Sequence, residues 1–280
     1  MSILKQLSEE IFDFSKSSIT SARAQELKTT MSTEFSAIFE LCLFVIDLYI
    51  TNPGSIKTSL VKMTLKTFGA TMSWIPLGFI FDTPIVAKLV QNLLQENFFR
   101  VETIKCLTEI AGLREQVKKQ QGNTPFNKAY EEFLLMMLIQ IMTKMESIIQ
   151  GIVLNEEYYR IPPERQGGYE TFCLQFGLFL TTFIQGQIDL IEEMLASTQA
   201  NPEAIGILLN KTSQALIYIM QLSNIPNDEI FKICAEFWNF ISSYVYDKVA
   251  SESISDYTSI YKYYCRHIVD FKKELFDQVA

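Results

Sequence analysis

Apolar residues recur every three or four positions along almost the whole chain, and no convincing run alternates apolar with polar side chains as a half-buried strand does. The segment 228–248 shows this spacing clearly. Its apolar residues fall on one broad helical face, formed by Ile230, Ile233, Cys234, Phe237, Trp238, Ile241 and Val245. The spacing predicts an all-α fold.

Three helix starts share one signature. Thr83-Pro84, Thr124-Pro125 and Asn201-Pro202 each place a capping side chain before a proline at the first helical position. Their intervals are 41 and 77 residues, the first typical of one helical pair and the second of two pairs or one enlarged pair. A length of 280 residues suggests about two globular domains, but stacked pairs contact only their neighbours and escape that rule. We therefore predict one α-solenoid over 1–280.

The apolar pattern divides into ten predicted helices. They are 2–14, 21–50, 55–72, 84–95, 98–112, 125–150, 168–196, 202–223, 228–248 and 255–278. After the first, they pair in chain order, and the first and last helices lack a partner within the chain. We expect about five repeats, truncated at both ends.

The link 151–167 is the long one among otherwise short connections, and it contains Tyr158, Tyr159, Pro162 and Pro163. We interpret it as an insertion loop between two helices. A surface loop packed on its own aromatic residues is the simpler interpretation, and a partner-binding loop is the alternative.

The stretch 171–188 contains no charged residue over 18 positions, which raises the question of a membrane span. Polar side chains interrupt the apolar run of about 20 residues that a bilayer would require: Gln175, Thr181, Thr182, Gln185 and Gln187. We interpret the stretch as a buried core helix and expect no membrane partner.

Residue types that carry catalysis or bind metals are sparse. The five cysteines stand singly, without a CxxC pair, and His267 is the single histidine. An odd number of isolated cysteines indicates reduced, buried thiols. The sequence has no GxxxxGK[ST] phosphate loop and no GxGxxG after a strand. We predict a protein that is not an enzyme and has no catalytic residues, metal site or cofactor.

The formal net charge of −8 is distributed unevenly. Residues 1–140 hold 14 basic and 14 acidic groups, whereas residues 170–260 hold 11 acidic groups against three lysines. Such a surface is a poor partner for nucleic acid and a good partner for a basic protein face.

Six of these acids fall on the polar sides of two predicted helices. Asp189, Glu192 and Glu193 lie on 168–196, and Glu229, Glu236 and Asp247 follow helical spacing on 228–248. We call these six residues the acidic face and predict that they bind a partner. The alternative is a solvated outer surface that binds nothing.

Four sequence blocks, in order along the chain, resemble one protein family. They are 3–14 (ILKQLSEEIFDF), 74–81 (WIPLGFIF), 105–112 (KCLTEIAG) and 229–234 (EIFKIC). Together they are similar to the nuclear exportins that carry leucine-rich export signals, members of the importin-beta superfamily. The match is poor over 151–167 and 255–280.

The resemblance implies a HEAT-repeat solenoid that is an internal part of a nuclear export receptor. Such a receptor binds Ran-GTP and cargo. It shuttles between nucleus and cytoplasm through nuclear pores, where it contacts nucleoporins. It also implies that the groove for export signals belongs to repeats outside this chain. The acidic face would then form part of a Ran-facing wall. A different helical-repeat scaffold or an import receptor is the alternative, and an all-α enzyme is a third possibility that the missing catalytic clusters weigh against.

Overall fold

The computed structural model describes residues 21–72, 75–113, 125–196 and 202–251. These ranges contain helices and connecting turns and no β-strand, which confirms the predicted all-α class of HEAT-type helical pairs. The chain divides into two compact units, Met1–Leu113 and Arg114–Ala280. The single solenoid of about five repeats over 1–280 stays a prediction.

The first unit is built from antiparallel helices joined by short turns. Its helices are α1 (Ser21–Thr51), α2 (Thr58–Thr71), α3 (Gly78–Phe81), α4 (Ile85–Lys88) and α5 (Arg100–Gly112). A π-helical segment, Leu89–Leu93, continues α4. Helix α2 packs against both α1 and α5, and the π-helical segment packs against α5.

An aromatic cluster forms part of the core of this unit. The Phe79 ring centroid lies 5.2 Å from that of Phe35 and 4.8 Å from that of Phe39, which in turn lies 5.9 Å from Phe68. Buried aromatic pairs with offset or edge geometry contribute roughly 0.5–1.5 kcal/mol beyond their area burial. This cluster joins α1 and α2 to the short helix α3.

The second unit contains the longer helices. These are α6 (Pro125–Ile149), α7 (Leu154–Arg160), α8 (Pro163–Ala196), α9 (Pro202–Ser223) and α10 (Asp228–Ser251). Helix α8 contacts all four of the others, and α9 contacts α6, α7 and α10. Because α8 is enclosed in this way, more than half of its charge-free stretch 171–188 is buried, in agreement with the predicted core helix.

The apolar side of α10 packs into this unit. Cys234, Phe237 and Ile241 are fully buried, and the Nε1 of Trp238 donates a hydrogen bond to the Oγ of Ser223 at 3.3 Å. Buried indole N–H groups need such an acceptor, since an unsatisfied donor costs about 1–3 kcal/mol. The predicted apolar face of this helix is therefore the face that holds α10 against α8 and α9.

The segment 151–167, predicted as a loop, is mostly helical, and the prediction is wrong here. It contains α7 and the first turn of α8, which begins at Pro163. Proline is suited to a first helical position because a backbone N–H at that position would have no acceptor within the helix, so its absence costs no hydrogen bond. Leu154 is buried, and its carbonyl accepts a hydrogen bond from the hydroxyl of Tyr169 at 3.1 Å. Tertiary contacts thus fold a segment whose prolines and glycines suggest irregular structure.

The other differences from the predicted helices are local. Helix α3 was not predicted, and the predicted helix 84–95 is a single α-turn followed by π-helix. Thr83 does not cap it, because its hydroxyl donates back to the carbonyl of Phe79 at 2.7 Å. The predicted helices 2–14 and 255–278 and the capping side chains of Thr124 and Asn201 lie outside the described residues.

Across the described helices, none is long and apolar enough to cross a membrane.

Candidate protein-binding face

The acidic face is carried by α8 and α10, two helices that pack directly against each other. Asp189 and Glu193 are exposed near the C-terminal end of α8, and Glu192 between them is half-buried. On α10, Glu229, Glu236 and Asp247 are all exposed. Five of the six predicted residues are therefore accessible to a partner.

Tyr244 of α10 joins two of the acids on α8. Its hydroxyl oxygen lies 2.9 Å from Asp189 Oδ1 and 2.8 Å from Glu192 Oε2. A tyrosine hydroxyl carries one hydrogen, so the two carboxylates share a single donor. Hydrogen bonds to charged acceptors are stronger than neutral ones, and this contact fixes the two carboxylates beside α10.

Lys248 completes this cluster from the next turn of α10. Its Nζ lies 3.8 Å from Glu192 Oε2 and 5.4 Å from the centre of the Tyr244 ring. The ammonium group thus offsets one of the two carboxylate charges and contacts the ring that orients them. Lys248 contacts the acidic face from α10, and Lys232 lies between Glu229 and Glu236 in the sequence of the same helix.

The environment of Tyr244 keeps its hydroxyl protonated. Burial raises the pKa of Tyr244 well above its ordinary value of 10.0, and the hydrogen bonds to Glu192 and Asp189 and their negative charges raise it further. The phenol therefore remains a donor throughout the neutral pH range.

The three acids of α10 lie along one stripe. Glu229, Glu236 and Asp247 are separated by seven and eleven residues, close to two and three helical turns of about 3.6 residues each. The side chain of Asn227 fixes the start of this helix, because its Oδ1 accepts hydrogen bonds from the backbone N–H groups of Glu229 and Ile230, both at 3.1 Å. The stripe is thereby presented on a rigid helix.

Sequence reasoning missed Tyr244 and Lys248. Tyr244 and Lys248 are four residues apart on one helix, a spacing that many neighbouring residues on helices share, so it was a weak signal. The partners of Tyr244 lie 52 and 55 residues earlier in the chain, so only the packing of α8 on α10 brings them together.

The described part of the chain offers little for covalent chemistry. It contains no group of three His, Cys, Asp or Glu side chains placed to hold a metal ion. Burial raises the pKa of Cys42, Cys173 and Cys234 to about 12 each, so these thiols stay protonated and are poor nucleophiles. What this surface does offer is negative charge at five exposed positions.

Replacing Tyr244 with phenylalanine removes the donor that the two carboxylates share. We expect the free energy of unfolding to fall by about 1–2 kcal/mol at pH 7, measured by urea denaturation. Above pH 10 the wild type should lose stability, because tyrosine ionises more readily in the unfolded chain, and the variant should lose less. Tyr246→Phe, at an exposed position of the same helix, is the control. Equal losses for both variants would contradict the role given to Tyr244.

Comparison with protein families gives two matches. The model described as "Exportin 1-like protein" matches residues 1–107, and the model described as "Chromosome region maintenance or exportin repeat" matches residues 212–246. The second match includes Glu229, Glu236 and Tyr244.

Individual relatives match most of the chain. Exportin-1 of Drosophila melanogaster is 35% identical over 248 residues, covering 88% of this chain and 20% of that protein. Exportin-1 of Schizosaccharomyces pombe is 32% identical over 256 residues, covering 91% and 21%. Protein EXPORTIN 1B of Arabidopsis thaliana is 32% identical over 240 residues, covering 85% and 19%. The chain spans about a fifth of the length of these relatives.

Proposed function

The chain belongs to the exportin-1 family, and from this premise we propose that it forms part of a nuclear export receptor. Its helical pairs supply scaffold, and its acidic face contributes to the surface that binds Ran-GTP. The receptor carries cargo from nucleus to cytoplasm, contacts nucleoporins on the way, and acts as a transport receptor rather than an enzyme. Export signals bind to other repeats of the receptor.

The observation that carries the proposal is the convergence of acids from two packed helices. Tyr244 holds Asp189 and Glu192 at the contact between α8 and α10, and four further acids are exposed on the same two helices. A cluster of one sign attracts a partner of the other sign and raises its association rate. The −8 excess of residues 170–260 agrees with a basic partner surface.

The positions of the cations favour a protein partner with a basic face. Lys211 forms an ion pair with Glu146, with 2.6 Å between Lys211 Nζ and Glu146 Oε2, and Lys248 forms an ion pair with Glu192. Lys232 is the remaining lysine described on α9 and α10. Lys232 and Lys248 thus place two cations on α10 against the six acids, so the net charge of the acidic face stays negative.

Hydrogen exchange with mass spectrometry tests where Ran binds. When Ran-GTP is added to the full-length receptor, amides in 187–194 and 228–248 should exchange more slowly, because a bound partner shields these helix ends and faces. Ran-GDP, added at the same concentration, should leave them unchanged. The proposed contact would be contradicted if Ran-GTP slowed amide exchange only outside these two segments. It would also be contradicted if Ran-GDP slowed exchange within them to the same extent.

A further inference from the structure

The segment around α7 places two tyrosines side by side in different environments. The hydroxyl of Tyr158 donates a hydrogen bond to Glu170 Oε1 at 3.0 Å, which ties this residue to α8. Tyr159 is 67% exposed, and its ring meets that of Tyr158 edge-on, with 5.4 Å between the ring centroids. Tyr158 therefore anchors the segment, whereas Tyr159 is presented to the solvent.

The backbone around Tyr159 is suited to local opening. Helix α7 has only seven residues and ends at Arg160, and Ile161 beyond it is extended, with φ −79° and ψ 131°. Gln166 holds the last turn, because its Nε2 donates to the carbonyls of Tyr158 and Ile161 at 3.4 and 3.2 Å. Helices this short have little stability of their own, so we expect the last turn to unwind without disturbing the long helices.

Tyr246 is the other strongly exposed tyrosine among the described residues, and it serves as a comparison. It is 73% exposed but lies within the 24-residue helix α10, directly after the buried Val245. Opening the backbone there would expose the apolar side that holds α10 against α8 and α9. Protein kinases bind the chain around the acceptor residue in an extended conformation. Tyr159 is therefore the more suitable acceptor of the two.

The charges that precede Tyr159 also distinguish it from Tyr246. Glu157 and Glu156 lie two and three residues before Tyr159, and both are at least partly exposed. The three residues before Tyr246 are uncharged: Ser243, Tyr244 and Val245. Many protein tyrosine kinases select acidic residues on the N-terminal side of the acceptor, because basic side chains line that part of the substrate groove. The segment before Tyr159 matches this charge pattern.

We propose that Tyr159 is an acceptor site for tyrosine phosphorylation, with ATP as the phosphoryl donor and a protein tyrosine kinase as the enzyme. The hydroxyl oxygen of Tyr159 forms a bond to the γ-phosphorus of ATP, and the bond from that phosphorus to the bridging oxygen breaks, which releases ADP. The phenolic proton passes to a base of the kinase. The site shares no residue with the acidic face and does not rest on the proposed contact with Ran.

The phosphate changes the contacts of its neighbours. Arg160 forms ion pairs with Glu156 and Glu157, with nitrogen–oxygen distances of 3.2 and 4.0 Å. A phosphotyrosine carries a charge of about −1.5 to −2 at pH 7, so it repels these two carboxylates and competes with them for Arg160. It also lies in the last turn of α7, where negative charge is unfavourable to a helix. We expect phosphorylation to loosen this turn.

The proposal is tested by incubating the 280-residue chain with Mg²⁺, ATP and the catalytic domain of a tyrosine kinase that selects acidic flanks. Tandem mass spectrometry of the peptides should show phosphate entering Tyr159 at least about tenfold faster than Tyr246, because α10 resists local opening. Hydrogen exchange of the phosphorylated chain should be at least about threefold faster at the amides of 158–161 than in the unmodified chain.

Two double variants test the role of the acidic flank. Glu156→Gln with Glu157→Gln should slow phosphorylation of Tyr159 at least about fivefold, because the kinase loses both of the charges that it selects. Asp228→Asn with Glu229→Gln, at an adjacent pair of exposed acids at the start of α10, is the matched control and should leave the rate unchanged. Equal rates in the two double variants would overturn the role given to the flank.

A synthetic peptide of residues 153–165 separates the effect of sequence from that of the fold. We expect the peptide and the folded chain to be phosphorylated at Tyr159 at rates within about tenfold of each other. The proposal is overturned if the peptide reacts and the folded chain does not, since α7 would then shield Tyr159. It is also overturned if neither reacts, if phosphate enters Tyr158 in place of Tyr159, or if Tyr246 reacts as fast as Tyr159.

Discussion

Replacing Phe237 with alanine is expected to lower the free energy of unfolding of the chain by about 4 kcal/mol, within the range of about 3–5 kcal/mol for buried aromatic residues. Phe237 is fully buried, and its ring centroid lies 5.4 Å from that of Trp238 in an edge arrangement. The deletion removes apolar contacts and leaves a cavity that the closely packed helices α8 and α9 cannot easily close.

Phe231→Ala on the same helix is the matched control, because Phe231 is 36% exposed. Its loss should stay within about 1 kcal/mol, since much of the ring is already hydrated. Urea denaturation followed by circular dichroism measures both. Similar losses for the two variants would mean that α10 does not use its predicted apolar face to pack.

The burial pattern of α10 could be predicted because helical spacing alone decides which side chains share a face. Ile230, Cys234, Phe237 and Ile241 were placed on one face from the sequence, and all four are buried. The ends of α6 and α9 also agree with the predicted helices to within one residue. Where the apolar pattern is long and regular, local spacing and tertiary packing favour the same structure.

The segment around α7 could not be predicted for a physical reason. Its two prolines and the glycines at 167 and 168 suggest a break, and the free energy that folds it comes from distant contacts. The backbone N–H of Leu154 donates to Gln221 Oε1 at 3.2 Å, across 67 residues of sequence. The hydroxyl of Tyr158 donates to Glu170 Oε1 at 3.0 Å. Such contacts depend on how helices pack, and spacing within one helix does not contain that information.

The acidic face was predictable in part. Spacing placed Glu229, Glu236 and Asp247 on one stripe, and all three are exposed. Spacing did not predict that Tyr244 and Lys248 would engage Glu192, because that contact forms between two helices. The four acids that Tyr244 does not contact, Glu193, Glu229, Glu236 and Asp247, are therefore the most direct targets for a test of partner binding.

Reversing these four acids to lysine should slow the association of Ran-GTP with the full-length receptor by about tenfold or more at low ionic strength, within the range of electrostatic steering. Single reversals should have small effects, because each exposed ion pair contributes roughly 0–1 kcal/mol. The effect should be collective and should decline as salt screens the charges.

A second four-site reversal separates position from net charge. Glu40, Asp82, Glu96 and Glu164 are exposed, lie outside the acidic face, and change the charge of the chain by the same amount when reversed. This control should leave the association rate of Ran-GTP nearly unchanged. If it slows association as much as the first set, the effect comes from overall charge and the acidic face has no specific part in it.

The most direct test of the proposed function is the association rate of Ran-GTP, measured by stopped-flow fluorescence at several salt concentrations for the wild-type receptor and both four-site variants. We predict that the wild type and the control share a steep dependence on salt, that the acidic-face variant associates slowly with a weaker dependence, and that the three rates converge at about 1 M salt, where the Debye length is about 3 Å. Identical rates for all three proteins at low salt would contradict the account, because the acidic face would then be an ordinary solvated surface.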